Sequence, residues 1–148
     1  MARVKKNPDK WIRQAVSNRV DGIVVSGATI YVVDTNYTGE TQPRQYIALS
    51  TQTKRDDQIA KCGWEWECSI LLDIVTRYIG TGNTGSRDFV NDIEEQVISL
   101  MNDLTINGGF RVDEIVIEDS TSMDGNTDTE VYFRQLLRYR IHLTEETT

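Results

Sequence analysis

The chain has little of the material from which metal centres, disulfide frameworks and catalytic sites are built. It holds two cysteines, one histidine and two prolines in 148 residues. Two cysteines and one histidine cannot supply an ordinary structural zinc site, so no metal is expected. Cys62 and Cys68 flank an extended-reading stretch, Trp64 to Glu67, which would hold their Cα atoms roughly 20 Å apart. A disulfide needs less than about 7 Å. Cys68 lies on the apolar side of that stretch and reads as a small core residue. No apolar run is long enough for a transmembrane helix, and Met1 to Asp9 lacks the apolar core of a signal peptide. No membrane association is expected, and folding in a cytoplasm follows. His142, the sole histidine, follows no nucleophile signature such as G-x-S-x-G and reads as an exposed strand residue.

What is present suits one domain spanning residues 1–148. Hydrophobic content of 39% and charged content of 26% are ordinary for a folded chain with a sizeable core. The net charge of −7 is unevenly spread. Residues 1–20 hold six basic side chains against Asp9, a net +5, which leaves −12 for the remainder. An acidic body argues against a protein that grips nucleic acid, because such affinity comes mainly from neutralising phosphates. It is compatible with one past which DNA slides. The basic end, about residues 1–10, reads as solvated or as facing DNA or an acidic neighbour.

The centre of the chain carries its clearest pattern. Trp64, Trp66, Cys68, Ile70, Leu72 and Ile74 fall on one side, and Glu65, Glu67, Ser69 and Asp73 on the other. This period-two alternation predicts a half-buried strand, Trp64 to Tyr78, of an antiparallel or mixed sheet. A loop follows, Gly80-Thr81-Gly82-Asn83-Thr84-Gly85-Ser86. It opens onto a helix with Phe89, Ile93, Val97, Leu100, Met101 and Leu104 at helical spacing. Ser86 is a candidate N-cap, Asp88 complements the first turn, and Asn107-Gly108-Gly109 closes the helix.

The loop matches G-x-G-x-x-G between a strand and a helix, the setting in which the motif signals dinucleotide binding. Two features argue against that reading. A central parallel strand should be apolar on both faces. The ribose-binding acid should also stand about 20 positions beyond the motif, whereas Glu118 and Asp119 come well after that. Gly85-Ser86-Arg87 also lacks the Lys-Ser/Thr pair of a phosphate loop. The bland reading is a mobile connector through Gly80, Gly82 and Gly85, with no cofactor and no enzyme activity. A small nucleotide-binding protein using Gly80 to Gly85 remains the alternative, with a free-standing adaptor domain as a third possibility.

Elsewhere, Asn7 and Pro8 start a helix that runs to about Val20 with Trp11, Ile12, Ala15, Val16 and Val20 inward. Strand-like material spans Ile23 to Val33, with Gly27 a bulge or turn. A Thr/Asn/Gly-rich loop, Thr35 to Pro43, precedes a strand from Tyr46 to Thr53, and Lys54 to Lys61 reads as a polar turn region. Phe110 to Ile117 is a fourth strand, residues 120–128 a mobile acidic and polar loop containing Asp124-Gly125, and Glu130 to Leu143 a long fifth strand. The order is α-β-β-β-α-β-β. Two helices cannot cover both faces of such a sheet, so the expected fold is an α+β two-layer sandwich with a mixed, mainly antiparallel sheet of about five strands. Asp113, Glu114, Glu118 and Asp119 lack the stepped oxygen spacing of a calcium loop, and Asp124 to Asp128 is closer to hairpin chemistry.

The closing strand places Val131, Phe133, Leu137, Tyr139, Ile141 and Leu143 on one face and Tyr132, Arg134, Leu136, Arg138, Arg140 and His142 on the other. A row of arginines in an acidic protein calls for acidic partners. Two sets are open: Glu65 and Glu67 within the same sheet, or carboxylates of another subunit.

Taken together, these residues resemble a family. The N-terminal helix, the segment Trp64-Glu65-Trp66-Glu67-Cys68-Ser69-Ile70, the Gly80 to Ser86 connector, the helix ending Leu100-Met101-Asn102-Asp103-Leu104 and the closing strand Tyr132 to Arg140 look like the tail-terminator or tail-completion proteins of tailed bacteriophages. The likeness runs from about Trp11 to Leu143 and rests on element order, size and the closing strand. It implies a virion protein, made in the host cytoplasm, that forms a ring at the neck. Such rings are commonly sixfold, with other numbers in other phage types. The ring caps or completes the tail tube and joins it to the head-side connector, with DNA passing through the lumen. It has no catalytic residues to carry over. On this view Arg134, Arg138, Arg140, Glu65 and Glu67 are candidate interface residues, and Gly80, Gly82, Gly85, Asp124 and Gly125 mark candidate mobile docking loops.

Overall fold

The structure, a computed structural model, describes residues 6–34, 44–57, 64–80 and 85–146. Its order is α1 (Asp9–Val20), β1 (Ile23–Val25), β2 (Ala28–Val33), β3 (Gln45–Asp57), β4 (Glu65–Ile79), α2 (Asp88–Met101), β5 (Phe110–Asn126) and β6 (Glu130–Glu145). The strands form one six-stranded sheet in the order β1-β2-β3-β4-β6-β5. Among the described residues, only β2 and β3 run parallel. The class is α+β with two helices, and the sheet curls into a half-barrel rather than lying as a simple sandwich layer.

The sixth strand comes from a turn inside the expected 23–33 segment. Ser26 and Gly27 both have positive φ, 51° and 82°. Val25 faces Ala28 across them. A two-residue turn with left-handed dihedrals matches the twist of a hairpin, so β1 and β2 fold back on each other. Helix α1 is as its spacing predicts: Ile12, Val16 and Val20 are wholly buried. Asn7 Oδ1 accepts the Asp9 N–H at 3.1 Å, while Pro8 occupies the N-cap.

Both helices pack on one face of the sheet. Ile70, Leu72 and Ile74 of β4 and Leu137, Ile141 and Leu143 of β6 meet Val90, Ile93, Val97 and Met101 of α2 in a single core. Burying such side chains is worth about 1.5–3 kcal/mol each. Cys68 belongs to this core. Cys62 lies outside the described residues.

Two strands run further than their composition predicts. β3 continues to Asp57, through the stretch read as the start of a polar turn. β5 continues to Asn126, so residues 120–126 are strand where a loop is expected. Ser120 to Asn126 pair with Leu137 to Val131 of β6. The connection shrinks to Thr127-Asp128-Thr129, with Thr127 Oγ1 accepting the Glu130 N–H at 3.1 Å. An edge strand with wet faces needs no apolar alternation, so its sequence looks like a loop. β5 also carries register shifts at Val112/Glu114 and Ile117/Asp119, which increase local twist and suit a curled sheet.

Candidate functional site: the helix-free face of the sheet

The face of β4 and β6 turned away from the helices is where the candidate residues collect. Register places Glu65 opposite Thr144, Glu67 opposite His142, Ser69 opposite Arg140, Leu71 opposite Arg138 and Val75 opposite Arg134. Paired residues in an antiparallel ladder share a face. The arginine row and the acidic row of the sequence therefore do meet, strand to strand.

They meet unequally. Arg134 grips the buried Asp73 with two nitrogens, Nε at 3.1 Å from Oδ1 and Nη2 at 2.5 Å from Oδ2. The Asp73 side chain is only 3% exposed. This fork-on-carboxylate geometry is the strong form of an ion pair, and it raises the Arg134 pKa, with partial burial opposing. Arg134 is thus committed inside its own sheet, to an acid the sequence reading did not single out. The signal for Asp73 is a carboxylate amid an otherwise apolar run, Ile70 to Val75.

Arg140 reaches Glu67 at 3.4 Å and Glu114 of β5 at 3.5 Å, yet its side chain stays 49% exposed. Arg138 donates to the Ser69 hydroxyl at 3.4 Å. Among the described residues it has no carboxylate at ion-pair distance. Arg138 and Arg140 line an open groove on this face together with Thr53, Arg55, Glu67, Ser69 and Glu118. A second buried pair, Arg77 with Glu130, sits near the β4–β6 end of the face.

His142 is half-buried rather than exposed. Its Nδ1 lies 2.8 Å from Glu67 Oε2. That hydrogen bond raises the imidazole pKa, with partial burial opposing and Glu65 adding to the rise. Nε2 faces Glu65 Oε1 at 3.6 Å and Asp113 Oδ2 at 3.9 Å. Asp113 is held by Arg111 and by the Thr144 hydroxyl. Burial works against its ionisation, but these hydrogen bonds outweigh it and lower its pKa.

Gly80, where the first expected docking loop begins, lies at the opposite end of the sheet, beside the β5–β6 turn. Gly80 N–H donates to Thr129 O of the β5–β6 turn at 2.8 Å. Arg87, at the start of α2, binds Asp124, and its Nη2 is 2.7 Å from Gln135 Oε1. Asp124 and Gly125 are strand residues. Gly125 lies against the outer end of the Tyr132 ring, which a Cβ there would push aside. Gly85, at φ +77°, likewise lies against the Tyr78 ring. Gly82 falls outside the described residues. Ser86 does not cap α2 from the N-cap position, which Arg87 holds; its hydroxyl accepts the Asp88 N–H at 3.4 Å. β4, the strand that enters the loop, is antiparallel to both of its neighbours. The parallel strands of a dinucleotide fold do not flank it.

No family model matches the chain, and no curated protein does. Among solved structures, it is similar to a chain of the virion of a native gene transfer agent particle. The TM-score is 0.59, covering 91% of this chain and 92% of that one at 14% identity. The likeness is one of fold. It extends over nearly the whole of both chains. Among the described residues no helix is long and apolar enough to cross a membrane.

Proposed function

We propose that this chain is a structural virion protein of a tailed phage or phage-like particle. It assembles as a ring at the neck, sixfold by preference, where it caps or completes the tail and joins it to the head connector. DNA passes through the lumen, and the chain carries no enzyme activity. The carrying observation is the fold shared end to end with a chain of a gene transfer agent virion. The finer placement rests on the element order and closing strand that resemble tail-terminator proteins, and on the acidic charge, −7 overall, which suits passage of DNA without adhesion.

Within this reading, Arg138 and the half-exposed Arg140 are the arginines of the row that reach an adjacent subunit, Arg140 exchanging its contacts with Glu67 and Glu114 for ones across the interface, since Arg134 is held by the buried Asp73. The test is light scattering coupled to size exclusion, with electron microscopy of the purified protein and of reconstituted necks. Closed rings, alone or seated on a neck partner, are the expected result. A strict monomer in solution that also stays out of purified virions would overturn the proposal.

A further inference from the structure

We infer that Glu65, Asp113 and His142 form a binding site for a divalent transition-metal cation of the zinc class. One ligand comes from each of three adjacent strands: Glu65 from β4, Asp113 from β5 and His142 from β6. Their ligand atoms lie within 4.8 Å of one another.

The histidine carries the argument. A carboxylate can only accept, so the 2.8 Å contact between Nδ1 and Glu67 Oε2 places a proton on Nδ1. Nε2 faces the carboxylates of Glu65 and Asp113, which pair with it when it is protonated and which, once it gives up that proton, surround a cation together with it. Its two neighbours, Glu65 Oε1 at 3.6 Å and Asp113 Oδ2 at 3.9 Å, are too far for hydrogen bonds. They are close to the roughly 3.3–3.4 Å that separates two ligands on tetrahedral bonds of about 2.0–2.1 Å. Metal-bound histidines commonly donate their other ring N–H to a carboxylate, which fixes the tautomer and orients the ring. Glu67 does this for His142 here. Asp113 is oriented from the other side of the exchange, accepting hydrogen bonds from the Thr144 hydroxyl and the Arg111 guanidinium.

The backbone supports the arrangement. At the Val112/Glu114 register shift β5 has one residue more than β6, so Asp113 and Glu114 are both presented to His142. Glu114 goes to Arg140, and Asp113 goes to His142. Two carboxylates and an imidazole favour zinc, cobalt or nickel over magnesium and calcium, which prefer oxygen alone. Binding replaces any proton on Nε2, leaves a fourth position for water, and clips three strands at one end of the sheet. The site does not depend on the ring reading.

The sole histidine makes the test direct. Untagged full-length protein, stripped of metal, is titrated with zinc chloride by calorimetry and by long-range nitrogen-correlated NMR of the imidazole. One zinc per chain is expected, with the Nε2 resonance shifting and Nδ1 remaining protonated. Cobalt should give the intense visible bands of four-coordinate sites. Saturating zinc should raise Tm by about 5–10 °C. His142→Ala and the more conservative Glu65→Gln should each weaken zinc binding at least tenfold while circular dichroism is unchanged. If His142→Ala unfolds, Glu65→Gln and the wild-type NMR decide. Binding equal in both variants, metallation at Nδ1, or only weak non-stoichiometric loading of an adventitious ion would overturn the inference.

Discussion

Arg134 and Asp73 show how far one residue's role depends on what lies across the sheet. In the sequence Arg134 is one of three arginines in alternate-face register, equivalent to Arg138 and Arg140. In the fold it alone meets a nearly inaccessible carboxylate. Removing one partner of such a pair leaves a buried charge. Arg134→Met should therefore cost about 2–4 kcal/mol in urea unfolding, and Asp73→Asn in the Arg134→Met background should recover part of it. A cost below about 0.5 kcal/mol would mark the pair as solvated. Cys68 offers a second check at this scale. Burial, with the nearby Asp9 and Glu67 charges, pushes its thiol pKa up to about 12. The thiolate is the reactive form. In a Cys62→Ser variant, alkylation by iodoacetamide at mildly alkaline pH should be negligible until denaturant is added.

At the scale of elements, β5 gives the sharpest expectation. Along 120–126, alternate backbone N–H groups face β6 while the others face away. Proline at an inward position removes a ladder hydrogen bond and should cost about 3 kcal/mol, whereas the next position along should be much less affected. A loop would show no such alternation. Gly85 carries a related constraint: its φ of +77° and the Tyr78 ring beneath it leave no place for a Cβ. Gly85→Ala should cost at least about 1–2 kcal/mol from the left-handed backbone alone. Destabilisation of that size reads the glycine as structural. Titration with NAD, ATP and GTP should show no specific heat; micromolar binding lost in Gly82→Val would revive the nucleotide reading.

For the whole molecule, the decisive question is whether the half-exposed arginines act within the chain or between chains. Arg140 has partners within its own sheet, but at 49% exposure such contacts contribute only ~0–1 kcal/mol. Desolvated at an interface, a forked arginine pair matters far more. The double variant Arg138→Glu/Arg140→Glu should keep its circular dichroism and lie within about 4 °C of the wild-type Tm, while losing assembly. Wild-type assembly should weaken as salt rises. Unfolding of the variant, or normal assembly by it, would assign these arginines to the sheet or to solvent.

Whether the arginine row pairs within its own sheet or with another subunit stayed open in the sequence, whereas local periodicity was enough to read the class of fold, both helices, β4 and β6. Each is written in side chains at period 2 or near 3.6 along the chain itself. The hairpin at Ser26-Gly27, the reach of β3 to Asp57 and of β5 to Asn126, and the parallel step from β2 to β3 were not legible. A strand with wet faces carries no amphipathic signal, and its length is set by the partner it pairs with. The candidate sites divide in the same way. Alternation put Glu65, Glu67, Arg134, Arg138, Arg140 and His142 on two strand faces. Only register decided that Arg134 would take Asp73, and only the extra residue in β5 set Asp113 beside His142. Pairing and bulges are non-local, so tertiary structure assigns the partners that residue types alone leave open.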